Sequence, residues 1–208
     1  MFQRIKNLLL GQRVKHAVHR AKQNLARKLF GLISGLLFNN KFKVEHYRDG
    51  KLIGVYAGHN DIVTEGKNFL LDVMFHGTTA GPTWYIGLIN NTPTPTLAAT
   101  DDYNNIDKAS NDWDEFTNYQ ISSSTVRGTW DEGSASGGSM TNSTPITYTI
   151  GSGGGTVYGI FVCGVGANAS VPGDNASDGI LWATAAFSGG ALTLSASDEL
   201  KVTYTINA

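Results

Sequence analysis

The chain has 208 residues, enough for one or two domains with a real hydrophobic core. Hydrophobic residues make up 41% and charged residues 16%, and 25 glycines against 5 prolines are typical of a β-rich, turn-rich protein rather than of collagen or a disordered chain. The single cysteine, Cys163, excludes an intrachain disulfide and a cysteine-based metal site. No apolar run reaches the roughly 18 residues of a membrane helix, so we expect no membrane span.

Charge is divided sharply along the chain. The first 43 residues carry ten Lys or Arg and no acid, whereas the remaining residues carry six bases and all 17 acids. This asymmetry predicts two pieces with different partners, a basic N-terminal arm of residues 1–40 and a body of residues 41–208. The apolar stretch near the N-terminus is too short for a secretory signal, so we do not expect secretion by that route.

The arm has the apolar spacing of an amphipathic helix. Its apolar stripe recurs at intervals of three or four residues, with a mean of about 3.7, and comprises Val14, Val18, Ala21, Leu25, Leu29, Leu32 and Leu36. Basic residues lie mostly off this stripe and include Arg20, Lys22, Arg27 and Lys28. A helix with one narrow apolar seam and a basic remainder indicates an arm that binds a partner.

Three kinds of partner fit such an arm: other copies of the chain, another protein, or an anionic membrane or nucleic acid. Nucleic acid is disfavoured because nucleic-acid-binding segments interleave stacking aromatic residues with their Lys and Arg residues, and the arm lacks that arrangement. A membrane is disfavoured as well. We therefore predict a homo-oligomer that also binds other proteins, and we expect no small-molecule substrate.

In the body, residues 41–56 predict a β-hairpin with Asp49 and Gly50 at its turn. Thr64 is a candidate N-cap for one short buried helix that includes residues 69–75 and ends at Gly77. Strand-like runs follow at residues 83–90, 146–150, 157–163, 180–187, 191–194 and 200–206. The predicted fold is mainly β: an antiparallel β-sandwich or jelly-roll-like body with one short helix, preceded by a long N-terminal amphipathic helix.

Residues 92–142 differ in composition from the rest of the body, because they are rich in acidic residues and contain interspersed aromatic residues. A stretch of this length is typical of long surface loops with one or two short strands, here near residues 118–130. Two roles for the aromatic residues stay open: exposed ones would contact a receptor, and buried ones would anchor the loops. The candidates for receptor contact are Tyr103, Trp113, Phe116 and Tyr119, although anchoring is favoured for Trp113 and Trp130.

No recognised catalytic pattern is present in the sequence. The five histidines all lie at or before residue 76, and no nucleophile-elbow motif occurs. Residues 164–169 match a dinucleotide-binding pattern, but Pro172 and Gly173 stand where its helix would have to begin. We expect no cofactor, no bound metal and no catalytic residue, with calcium left open at the acidic loops. A polysaccharide-acting enzyme is a distant alternative, because paired acids in aromatic loops can hydrolyse glycosides.

Several strand and turn segments resemble structural proteins of tailed bacteriophages. These segments are residues 59–66, 69–75, 84–89, 158–162 and 198–205. The resemblance covers about residues 59–90 and 157–206 and leaves out the arm. It implies a non-enzymatic protein of the virion, and within that class a capsid decoration or cement protein is favoured, with the basic arm docked on the capsid. The alternative is a tail or fibre module, either an adaptor or a receptor-binding part.

Overall fold

Two antiparallel β-sheets make up the body of the protein in this computed structural model, which describes residues 38, 40–79, 81, 83–106, 113–176 and 178–208. The mainly β fold predicted from the sequence is therefore confirmed. The predicted N-terminal helix lies outside the described residues, with its apolar stripe from Val14 to Leu36 and its basic residues Arg20, Lys22, Arg27 and Lys28.

The predicted hairpin opens the body. Strand β1 (Lys41–Arg48) pairs with β2 (Lys51–His59) through a two-residue turn. Both turn residues have positive φ, 50° at Asp49 and 71° at Gly50, which is the backbone that an Asp-Gly hairpin turn requires. The hairpin prediction is confirmed, because the turn chemistry and the strand pattern are both local.

Six strands form the first sheet, sheet A. Its order is β2-β1-β13-β9-β6, and β8 also pairs with β13. The remaining bounds are β6 (Tyr119–Gln120), β8 (Ser139–Thr141), β9 (Ile146–Ile150) and β13 (Glu199–Asn207). In the centre of the sheet, Phe42 of β1 lies opposite Tyr204 of β13 and Val44 lies opposite Val202, so that each pair points to one face.

Seven strands form the second sheet, sheet B. Its order is β3-β11-β10-β4-β5, with β12 paired to β10 and β7 paired to β4. The bounds are β3 (Asp61–Ile62), β4 (Trp84–Asn90), β5 (Glu115–Phe116), β7 (Gly128–Thr129), β10 (Gly155–Gly164), β11 (Ile180–Ala186) and β12 (Leu192–Leu194). Each strand-like run of the sequence thus becomes a strand within one or two residues of its predicted ends.

The two sheets share one hydrophobic core, the central core. Side chains of β1, β9 and β13 enter it from sheet A, and side chains of β4, β10 and β11 enter it from sheet B. Two hydrogen bonds also cross between the sheets: Tyr148 Oη donates to the Ile86 carbonyl at 2.6 Å, and Trp130 Nε1 donates to the Tyr204 carbonyl at 3.2 Å. These polar contacts fix the register of one sheet over the other.

A second hydrophobic cluster, the closed core, covers the opposite face of sheet B. Strand β10 supplies Phe161 and Cys163 to this cluster and Ile160 and Val162 to the central core. The strand is therefore buried on both faces, which explains its nearly continuous apolar sequence. The closed core consists of Val63, Ile89, Tyr103, Ile106, Trp113, Phe161, Cys163, Ala169 and Leu181.

The short helix follows β3. Helix α1 (Thr64–Leu71) continues directly into a π-helical turn (Asp72–His76), and Gly77 ends it in the left-handed conformation. The predicted N-cap at Thr64 is wrong: Val63 is the cap, and the Thr64 hydroxyl donates to the Ala99 carbonyl at 2.9 Å. The predicted burial is also wrong for most of the helix, because Gly66 is its one buried residue. A Cβ at Gly66 would lie 2.6 Å from the Trp182 carbonyl oxygen, so only glycine allows this approach to β11.

Candidate functional site

The four aromatic residues that the sequence offered for receptor contact are all buried. Tyr103 is 0% exposed, Trp113 1%, Phe116 5% and Tyr119 2%. Their receptor-contact role is therefore corrected: a macromolecule cannot reach these side chains in the folded protein. The anchoring role favoured for Trp113 and Trp130 is confirmed, since Trp130 is also buried and each indole N–H donates a hydrogen bond within the body.

A buried ion pair lies beside the closed core. Arg127 forms a bidentate pair with Glu115, with Nε 3.0 Å from Oε1 and Nη2 2.8 Å from Oε2, and both side chains are fully buried. The other N–H groups of Arg127 reach the Tyr103 hydroxyl at 2.9 Å and the carbonyls of Ala169 at 3.1 Å and Asp174 at 2.8 Å. All five guanidinium donors thus have an acceptor.

The same network ties together segments that are distant in the chain. The Tyr103 hydroxyl donates to Asp174 at 2.7 Å, and the Gly173 N–H donates to Glu115 at 2.6 Å. The Arg127 guanidinium also lies 5.2 Å from the centre of the Phe161 ring. The network therefore joins the segment before β5 to the loop between β10 and β11.

Burial and the Glu115 charge together set the pKa values of this network. Burial lowers the pKa of Arg127, but the hydrogen bonds and the charge of Glu115 outweigh it and place the pKa above its usual value. Burial raises the pKa of Tyr103 and, to about 12, the pKa of the Cys163 thiol. At neutral pH the Arg127 cation stays charged while the phenol and the thiol stay protonated, which suits a structural network rather than a nucleophile.

A second polar cluster lies at one end of sheet A. The Asp198 carboxylate is 2.8 Å from His46 Nε2, accepts two hydrogen bonds from Arg48 at 2.8 and 2.7 Å, and accepts one from the Ser195 N–H at 2.9 Å. The Arg48 guanidinium is the main cause that holds the pKa of Asp198 well below its usual value. These contacts fasten the turn before β13 to the end of β1.

An apolar groove, the Trp groove, lies where α1 meets the two sheets. Its volume is about 330 Å³, and its walls consist of Phe69, Leu70, Val73, Gly81, Trp84, Trp130, Glu132, Met140, Val162, Trp182 and Ile206. A row of edge-to-face ring contacts follows one wall, from Phe38 to Trp182 at 6.0 Å, to Trp84 at 5.9 Å and to Phe69 at 5.8 Å. The groove is concave and apolar, which is the character of a surface that receives another apolar group.

The same helical segment also carries exposed apolar side chains, among exposed polar ones that include Lys67, Asn68 and Asp72. Leu71 is 54% exposed, Met74 56% and Phe75 78%. These positions are three and four residues apart, so they lie on one face of the helical segment. The Trp groove together with Leu71, Met74 and Phe75 is called the docking face below. It is the candidate functional site of the body.

Within the part of the chain that the structure describes, no group of three or more His, Cys, Asp or Glu side chains is placed to hold a metal ion. Over the same residues, no helix is long and apolar enough to cross a membrane. Comparisons with known protein families, characterised proteins and solved structures find no match for this chain.

Sequence reasoning missed both the ion pair and the docking face. Arg127 carries a usable signal, because it and Lys108 are the only bases between residues 68 and 200 and it stands in a strand-like context among many acids. The signal for the docking face lies in residues 69–75, where six of seven positions are apolar. Six apolar residues in seven place apolar side chains on more than one side of a helix, and the structure leaves Leu71, Met74 and Phe75 exposed.

Proposed function

We propose that the protein is a non-enzymatic structural component of a tailed-phage virion, in which a β-sandwich body is attached to the particle by the N-terminal arm. One core shared by the two sheets supports the sandwich. The observation that carries the assembly role is the contrast in accessibility. Buried charged groups such as Arg127 hold loops in place, whereas Leu71, Met74 and Phe75 on the helical segment leave apolar surface that a partner can reach.

Within the virion, decoration of the capsid is the role that fits best. The rival receptor-binding role rested on aromatic loops, and the aromatic side chains in question are buried. The phage assignment itself rests on the resemblance of the strand and turn segments. A basic arm and an acidic body suit a protein that binds the particle at one end and leaves its body in solvent.

The location of the protein on purified particles tests this proposal. An antibody raised against residues 41–208 labels the particles, and electron microscopy records its position. We expect label spread over the head. Label at the tail or at one vertex overturns decoration in favour of a fibre or connector role, and absence of label overturns the virion assignment.

Attachment through the arm has its own test with the full chain. Changing Arg20, Lys22, Arg27 and Lys28 to Gln removes half of the eight bases in residues 1–40. We expect weaker binding to particles at low salt and a smaller loss of binding as salt rises, because fewer charges remain to be screened. Binding equal to that of the unaltered protein at every salt concentration contradicts electrostatic docking of the arm.

A further inference from the structure

The Trp groove has an unusually aromatic lining. Three of the four tryptophans of the chain, Trp84, Trp130 and Trp182, line it together with Phe69. Neighbouring rings meet at steep angles, 63° between Trp84 and Trp182 and 73° between Phe69 and Trp84. Aromatic rings have electron-rich faces, and several of them around one small space are typical of sites that bind organic cations.

The groove offers a ligand very few polar groups. The Trp130 N–H already donates to the Tyr204 carbonyl at 3.2 Å, and the Trp182 N–H is buried. Glu132 is exposed and is the one charged residue among those that line the groove. Within the residues that the structure describes, Glu132 forms no ion pair. The lining therefore combines aromatic and aliphatic surface with a single carboxylate and no basic side chain.

We propose that the Trp groove binds a small organic cation with a fully alkylated nitrogen, such as a trimethylammonium group. The methyl groups of such a cation are apolar and pack against rings and aliphatic walls, while its charge is attracted by the ring faces and by the Glu132 carboxylate. The inference goes beyond the proposed function, because it does not depend on how the protein is attached to a particle.

The composition of the lining favours this cation over other ligand classes. A primary ammonium group has three N–H donors, which lose hydrogen bonds to water when the group is buried. Glu132 is the only carboxylate in the lining that can replace them. A trimethylammonium group has no donor to satisfy. An anion is disfavoured, because it would meet the Glu132 charge and the electron-rich ring faces.

The size and construction of the groove agree with a small ligand. Its volume of about 330 Å³ is at the lower end of the range of about 300–1,000 Å³ that ligand pockets have. Its walls come from the packed body: Trp84 belongs to β4, Trp182 to β11 and Val162 to β10. Strands of one sheet hold these side chains in place before a ligand arrives, which lowers the cost of binding.

Titration of the full chain with choline chloride tests the inference, with sodium chloride at equal ionic strength as the blank. The four indole N–H signals in an NMR spectrum report the site. We expect choline to shift the signals of Trp84, Trp130 and Trp182 with a dissociation constant of about 1–10 mM. Trp113 lies in the closed core on the opposite face of sheet B, so its signal should stay in place. No shift, or an equal shift of all four signals, overturns the inference.

A neutral ligand of the same shape separates charge from apolar contact. In 3,3-dimethylbutan-1-ol a carbon atom replaces the choline nitrogen, so the molecule keeps the three methyl groups and the hydroxyl but has no charge. We expect choline to bind about tenfold more tightly, because only the cation is attracted by the rings and by Glu132. Equal or tighter binding of the neutral alcohol overturns the inference in favour of a groove for uncharged apolar groups.

Two pairs of variants locate the binding site. Glu132→Gln should weaken choline binding about two- to fivefold, and Asp131→Asn is its control, because Asp131 is the adjacent exposed acid outside the lining. Phe69→Leu, which keeps apolar bulk but removes the ring, should weaken it about threefold or more, with Phe75→Leu as control. An unchanged Trp113 signal shows that each variant is folded. Equal affinities within both pairs overturn the inference.

Two sources supply a trimethylammonium group: a free molecule such as choline and the headgroup of phosphatidylcholine. Co-sedimentation of the protein with phosphatidylcholine vesicles distinguishes them. Sedimentation that free choline abolishes assigns the ligand to the headgroup, and choline binding without sedimentation assigns it to a free molecule, so each result supports the inference. Labelling of particles is scored separately, so that a failure of choline to bind refutes the inference and leaves the proposed function standing.

Discussion

The closed core and the docking face differ in burial, and in each the burial is the opposite of what the polarity of the sequence suggests. The segments over the closed core are acidic and polar, yet Arg127, Glu115 and Trp113 are buried there with their polar groups paired. Residues 69–75 of the helical segment are apolar at six of seven positions, yet Met74 and Phe75 lie in solvent. In this protein the polar segments form a closed interior, whereas the apolar segment leaves side chains exposed to solvent. The surface that is still available to a partner is therefore on the apolar segment.

The largest expected effect on stability that tests this comparison comes from removing the buried ion pair. We expect Arg127→Met to lower the free energy of unfolding by about 3–5 kcal/mol, because it leaves the Glu115 carboxylate buried without its cation. Urea unfolding measures the change. The double variant Arg127→Met/Glu115→Leu is the control and is expected to recover much of the loss. A loss below about 1 kcal/mol in the single variant would mean that the closed core is open to water.

Trp113 gives the next effect and also tests the discarded receptor role. Trp113→Ala removes a side chain that is 1% exposed, together with the hydrogen bond from its indole N–H to Asp101 at 3.0 Å. We expect a loss of about 3 kcal/mol or more in the free energy of unfolding. Trp113→Phe, which keeps most of the ring, should cost less. Reduced adsorption to a host without a loss of stability would contradict the anchoring role.

Much of the fold was predictable because its signals are local. The Asp49–Gly50 turn, the alternation of Leu200, Val202 and Tyr204 along β13, and the stop at Gly77 depend on residues close together in the chain. Period and turn chemistry are therefore enough to place these elements.

The buried ion pair and the docking face were not predictable in the same way. Glu115 and Arg127 are 12 residues apart, and the carbonyl of Ala169 that completes the network is 42 residues from Arg127. No local sequence pattern predicts a contact between residues so far apart in the chain. The exposure of Leu71, Met74 and Phe75 depends likewise on which face of the helical segment packs against the body, and apolar residues on more than one face give no preference among these faces.

The pH dependence of stability tests a third site, the Asp198 cluster, which is only partly buried. Arg48 holds the pKa of Asp198 below its unfolded value near 4, so the ionised carboxylate stabilises the fold above about pH 5. This stability is lost as the pH falls through the range below about 4. Asp198→Asn lacks the contribution at every pH, so its unfolding free energy should fall less steeply in acid.

We expect Asp198→Asn to cost less at neutral pH than the Arg127 variant, because the Arg48 side chain is 43% exposed and water can replace its lost partner. Urea unfolding between about pH 3 and 7 measures both curves. Parallel curves for the variant and the unaltered protein would assign the acid sensitivity to other groups.

The smallest effect is expected for a substitution in the docking face, which is compared with a matched substitution in the closed core. Phe75→Ser should change the free energy of unfolding of the monomer by less than about 0.5 kcal/mol, because Phe75 is 78% exposed and leaves no cavity. Phe161→Ser is its matched partner, since Phe161 is 0% exposed in the closed core and carries the ring against which the Arg127 guanidinium packs. Its loss should exceed about 3 kcal/mol. If Phe75→Ser instead destabilises the monomer substantially, Phe75 is buried within one chain in solution. The docking face is then part of a closed hydrophobic core and not an open surface.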